Sequence, residues 1–177
     1  TYTLPKFQIA CGAADIMMHT IDRYFTRVEG SELTDATAED VICVAARNGI
    51  RALESEQNYD APSELMWCGS LSRNGLTNLG RPVDFSVHQL GNSFSGIYRC
   101  ATHGAVMAIL WPVWVEYVCK TDVARFAKYA RNIWKVEDTD DNDAALASIG
   151  ATKAFFTEKL NLPASLSALA SKRLKRI

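Results

Sequence analysis

Apolar residues recur along this chain mostly at three- and four-residue intervals, the period of a helix with one buried face. A first helix is predicted from about Phe7 to Val28, between Leu4-Pro5 and Glu29-Gly30. A second carries Ala38, Val41, Ile42, Ala45 and Ala46 on one face, with Thr34 or Thr37 as its cap. A third is expected from Pro62 to Leu79, with proline in its first turn. The stretch from His88 to Tyr98 reads as a shorter, more polar helix. Thr102 is positioned to cap the next, which is almost wholly apolar from Ala105 to Val118 and therefore central, with Pro112 kinking it or resetting its start. Thr121-Asp122 opens a helix whose Val123, Phe126, Ala127, Ala130, Ile133 and Trp134 share a face. Thr139-Asp140-Asp141 opens the last long one, running through Phe155, Phe156 and Leu160 until Asn161-Leu162-Pro163 stops it. With no alternating strand pattern, the expected fold is all-α, with roughly seven helices in a single domain over residues 1–177.

Composition narrows the function classes. Hydrophobic residues make up 48% and charged residues 22% of 177, an ordinary balance for a domain with a real core. A net charge of −1 gives no electrostatic reason to expect a nucleic acid or an anionic membrane. The basic run Lys172-Arg173-Leu174-Lys175-Arg176 is short and reads as a solvated helix end. Five scattered cysteines without a CxxC pair point to a reducing, cytoplasmic setting. No secretory leader or apolar run of about 18 residues is present, so no membrane span is expected. Neither GxGxxG nor GxxxxGK[ST] occurs, so any nucleotide would have to be anchored elsewhere.

The candidate chemistry lies in four side chains. Asp15 and His19 are four apart on the first helix, so a carboxylate and an imidazole share one face about 5–6 Å apart at Cβ. Such a pair alone arises freely by chance. The chain has only two further histidines, His88 and His103, both placed at helix starts beside the most apolar helix. One carboxylate and three imidazoles form a plausible ligand set for Zn²⁺ or Fe²⁺.

Larger motifs extend this reading. Tyr2-Thr3-Leu4-Pro5 and then Gly12, Asp15, His19, Asp22 and Phe25 resemble the metal-binding helix of iron-type (group III) alcohol dehydrogenases. The branch most similar is that of the NADPH-dependent butanol dehydrogenases and aldehyde reductases. The similarity continues through Leu65-Met66-Trp67-Cys68-Gly69-Ser70-Leu71-Ser72-Arg73-Asn74-Gly75-Leu76, His88-Gln89-Leu90-Gly91, Thr102-His103-Gly104, Leu110-Trp111-Pro112 and Leu162-Pro163-Ala164-Ser165-Leu166. It implies a dehydroquinate synthase-like helical fold in which Asp15, His19, His88 and His103 are the metal ligands. It also implies a bound Fe²⁺ or Zn²⁺ acting as a Lewis acid on an alcohol or aldehyde oxygen, and hydride exchange with NAD(P)H.

The resemblance further implies partners: a small alcohol or aldehyde, a nucleotide-binding α/β half preceding this one, a continuation beyond about Leu169, and possible homo-oligomers. On that basis the chain by itself is expected to be inactive. Two departures stand out. The family's second histidine, four residues after His88, is here Asn92, which implies altered proton handling. The interval from His88 to His103 is one residue longer than the family norm, filled by Arg99-Cys100-Ala101, so His103 could be displaced or Cys100 could compete as a ligand. Trp67, Phe85 and Trp111 are candidates for a pocket around an unbranched substrate chain. Two alternatives stand beside this function: a polyol or sugar-phosphate enzyme of the same fold, with fewer histidine ligands, and a non-catalytic helical module.

Overall fold

A computed structural model describes residues 3–54, 59–98 and 101–174, with side chains placed through residue 171. Its described residues form eight α-helices and no strand: α1 (Lys6–Tyr24), α2 (Glu32–Glu54), α3 (Asp60–Arg73), α4 (Ser86–Ile97), α5 (His103–Val118), α6 (Val123–Trp134), α7 (Asp141–Ala154) and α8 (Leu166–Leu174). The all-α expectation holds. An eighth helix follows Pro163, one more than the roughly seven expected, and takes in the first residues of the basic run that reads as a helix end.

Helix α1 is the hub. It packs on α2, α3, α4 and α5, and α4 lies against α5 while α6 pairs with α7. Ala10, Ala14, Met17, Ile21 and Tyr24 give α1 a buried stripe at the three-and-four period. Small residues there let neighbours approach closely. A Cβ on Gly49 of α2 would stand 3.0 Å from that of Ala13. Helix α5 is buried through Ala105, Val106, Met107, Trp111 and Val115, as its uniformly apolar sequence demands. Pro112 sits inside one continuous helix and does not reset its start.

Several boundaries differ from expectation for local reasons. Helix α1 ends at Tyr24 rather than Val28 because its terminal carbonyl is taken by a side chain. Arg125 Nε and Nη2 donate to Tyr24 O at 3.0 and 2.5 Å, satisfying a group the next helical turn would otherwise bond. Phe25 then turns out of the helix and stacks on Phe126, with ring centroids 4.2 Å apart. Helix α2 starts at Glu32, just after Gly30 in the left-handed region (φ 76°). Thr34 and Thr37 therefore lie within its first turns and donate to Leu79 O and Leu33 O instead of capping. Helix α3 stops at Arg73 because Gly75 adopts φ 91°, and a 3₁₀ turn, Leu76–Asn78, follows.

The expected polar starts of α6 and α7 hold. Asp122 accepts from Arg125 N, and Asp140 from Asn142 N and Asp143 N. Helix α7 passes into a π turn, Phe155–Lys159, and the chain turns at Asn161 (φ 52°). No helix among the described residues is long and apolar enough to cross a membrane.

Candidate metal centre

Three helices converge along the middle and C-terminal half of α1. Asp15 and His19 share a face of α1, His88 lies in the first turn of α4, and His103 is the first residue of α5. Glycines make the meeting possible. A Cβ on Gly104 would fall 2.7 Å from the Cys11 carbonyl carbon, so only glycine lets the start of α5 press on the α1 backbone one turn before Asp15. A Cβ on Gly91 of α4 would meet Met107 Sδ at 2.7 Å and His103 Cε1 at 3.7 Å.

The four predicted residues are neighbours in space. Asp15 Oδ2 is 3.6 Å from His19 Nε2, while Asp15 Oδ1 is 3.8 Å from His88 Nε2 and 3.4 Å from His103 Nε2. The His19 and His88 rings stack with centroids 4.2 Å apart. Donor atoms of Asp15, His88 and His103 all lie within 4.8 Å of one another. The longer interval thus leaves His103 at the site. Arg99 and Cys100 themselves lie outside the described residues, and with them the expectation that Cys100 competes as a ligand.

Hydrogen bonding gives the cluster its direction. His88 is held from behind: Asp22, on α1, approaches its Nδ1 at 2.7 Å and also accepts its backbone N–H at 3.2 Å. With both donors on one carboxylate oxygen, the ring proton belongs on Nδ1 and the Nε2 lone pair faces Asp15. Asp15 Oδ1 and His88 Nε2 are nevertheless buried without hydrogen-bond partners. Orphaned acceptors of this kind are rare in a packed interior, and a cation between them would satisfy both. This observation makes the residues present a good fit for a divalent metal. Access is from one side, since the His103 and Asp15 side chains are 33% and 31% exposed and that of His88 only 7%.

The titrations follow from burial and charge. Burial holds His19 down at about 4, helped by its neighbours His88 and Arg73 and opposed by Asp15, so its ring is neutral at pH 7. His103 is lowered for the same first reason. Burial pushes His88 down too, but the carboxylates of Asp15 and Asp22 outweigh it and the net direction is up. Burial would raise Asp15, yet its three histidine neighbours bring it below the usual carboxylate value. Asp22 is raised, chiefly by burial.

His19 differs from the other three. Its Nε2 lies 2.7 Å from Arg73 Nη1, and its Nδ1 is buried with no partner. Arg73 and Asp22 were both missed as site residues in the sequence, although each stands inside a matching motif. Asp22 carried a usable signal, three residues after His19 and seven after Asp15 on the same helical face. Arg73 carried none, because α3 reaches the site only through the fold.

The expected pocket aromatics separate. Trp111 is fully buried among Phe25 and Tyr129, and Trp67 is 63% exposed on α3. Of the three only Phe85 adjoins the cluster, edge-on to His88 at 5.2 Å. Asn92 is exposed on α4.

Comparison with known proteins identifies the family and the fold. A model of the Fe-containing alcohol dehydrogenase family, C-terminal, matches residues 9–173. The chain is 38% identical to the NADH-dependent butanol dehydrogenase A of Clostridium acetobutylicum over 168 residues, covering 94% of this chain and 43% of that protein. It is 32% identical to the NADPH-dependent aldehyde reductase YqhD of Escherichia coli, with the same two coverages. The substrate- and cofactor-free structure of that reductase superposes with a TM-score of 0.88 at 31% identity, over 99% of this chain and 48% of the other. A butanol dehydrogenase structure from Thermotoga maritima gives 0.89 at 29% identity, over 99% and 44%. The chain thus spans less than half the length of these relatives.

Proposed function

Since the chain belongs to the Fe-containing alcohol dehydrogenase family, as its C-terminal part, we propose that it is the metal-holding helical part of an NAD(P)-dependent alcohol dehydrogenase or aldehyde reductase. The observation that carries the reading is the orphaned pair Asp15 Oδ1 and His88 Nε2, with His103 Nε2 beside them. Asp15, His88 and His103 would hold Fe²⁺ or Zn²⁺, and His19 stands beside them as the candidate fourth ligand. When bound, such an ion supplies Lewis-acid polarisation of an alcohol or aldehyde oxygen.

The chain's own residues have distinct duties in this reading. Asp15 offsets the charge of the cation, and its depressed pKa keeps it ionised at neutral pH. Asp22 fixes the tautomer and aim of His88. His103, the most open of the three histidines together with Asp15, forms the rim through which a small alcohol or aldehyde would enter. Phe85 shields the buried side and helps exclude water.

The hydride belongs to a nicotinamide bound elsewhere in the parent protein. This chain holds no glycine-rich turn at a helix start that would anchor a pyrophosphate. Positioning a donor carbon within about 3–3.5 Å of its target is worth up to roughly 7–11 kcal/mol. Metal-loaded, the chain alone is therefore expected to show no NADPH-dependent reduction of butanal, and the two-domain parent to show it. Metal analysis of the purified chain tests the reading directly. One equivalent of iron or zinc, lost in His88→Ala, supports it; an unchanged metal content in that variant refutes it.

A further inference from the structure

The contact between Arg73 and His19 is chemically one-way. A guanidinium has donors only and keeps its proton at any pH a protein survives. His19 Nε2, 2.7 Å away, must accept from it. That lone pair is the one a metal ion would need. We propose that Arg73 is a positioning residue that withholds His19 from the metal. A cation would settle on Asp15, His88 and His103, and His19 would join only when Arg73 swings away. The inference rests on the metal-site reading above.

Three observations support it. The His19 Nδ1 is buried without an acceptor, so this imidazole lacks the orienting partner that ligating histidines normally have and that Asp22 provides to His88. Arg73 has no carboxylate partner among the described residues, so its charge is directed at the site uncompensated. It cannot be drawn away toward Arg23, which carries the same charge and is already engaged by Asn78 Oδ1, by His19 O and by the Phe85 ring. Meanwhile Arg73 is exposed at the last turn of α3, free to rotate into solvent without disturbing the core. A movable cation bound to one of four candidate ligands is a gate on coordination number. With three protein ligands and His19 held back, an ion keeps a position open for an oxygen ligand.

The test is a double-mutant cycle read by metal affinity and not by activity. Cobalt(II) and zinc are titrated into the chain as it stands and into Arg73→Leu, His19→Ala, the double variant and His88→Ala, with chelator competition for affinity and the cobalt visible spectrum for coordination. Loss of a group that tunes a metal site changes affinity roughly 10–100-fold. Arg73→Leu should tighten binding by about tenfold or more. It should also convert the cobalt spectrum toward the intense bands of a four-ligand tetrahedral site. His19→Ala should be nearly silent beside Arg73 but cost about tenfold or more in the Arg73→Leu background. If His19→Ala costs the same in both backgrounds, or Arg73→Leu leaves affinity and spectrum unchanged, the gate is refuted while the metal site stands. If His88→Ala is also silent, the metal-site reading fails, and the gate with it.

Discussion

Asp22 Oδ2 lies 2.7 Å from His88 Nδ1 and also accepts the His88 backbone N–H, so one carboxylate on α1 sets both the start of α4 and the direction of its imidazole. Asp22→Asn should keep the shape and lose the charge. Metal affinity is expected to fall roughly 10–100-fold, the usual cost of removing an orienting carboxylate. Isothermal titration with Zn²⁺ checks this, and an unchanged affinity would show that His88 is aimed by packing alone.

His103→Ala is expected to weaken metal binding far more than Cys100→Ser. His103 Nε2 is 3.4 Å from Asp15 Oδ1, and its side chain shares the cluster with His88. Equal losses in parallel zinc titrations would mean that the longer interval has recruited Cys100.

Gly104→Ala should damage fold and site together. The added methyl would run into the Cys11 carbonyl group, which is backbone and cannot step aside. Overpacking of this kind costs about 1–3 kcal/mol. Thermal unfolding should report that loss, and metal binding should weaken as His103 shifts from Asp15. Gly150→Ala, where a Cβ meets nothing within 4 Å, is the control and should be neutral or better.

Acid stability should track Asp35. Its carboxylate accepts from Arg81, from Arg125 at 2.5 and 2.6 Å, and from Lys128 at 2.7 Å. Burial alone would raise its pKa, but the three cations hold it well below the usual carboxylate range. A depressed folded-state pKa contributes stability that is fully present above the unfolded value, near 3.9, and that is lost as pH falls toward the folded one. The protein should therefore lose this contribution only below about pH 4. Asp35→Asn strands Arg81, whose side chain is fully buried. It should cost about 3–5 kcal/mol at pH 7 and flatten the acid limb in denaturant melts across pH.

Much of this molecule is legible in its sequence, and the illegible parts share a cause. Helices α6 and α7 were readable because their periodicity and their Asp122 and Asp140 caps act over a few residues, and α5 because its apolar run is nearly unbroken, although Thr102 makes no side-chain capping bond there. The ends of α1 and α3 were not, since Arg125 captures the Tyr24 carbonyl from a hundred residues away and Gly75 breaks a pattern that otherwise continues. Asp15, His19, His88 and His103 could be named as candidates because the chain has no other histidine and because motifs surround them. Their mutual geometry, the support from Asp22 and the intrusion of Arg73 depend on helix packing, which no local pattern encodes. Trp111 misled in the opposite direction, because aromatic spacing is the same for a core as for a pocket.

One divalent cation is expected to sit among Asp15, His88 and His103. Crystals of the chain grown with Fe²⁺ or Zn²⁺, measured at that metal's absorption edge, test it most directly. The predicted result is a single anomalous peak about 2.0–2.2 Å from an Asp15 carboxylate oxygen, His88 Nε2 and His103 Nε2. A peak bonded to other residues, or no peak with the three side chains positioned as described, would contradict it.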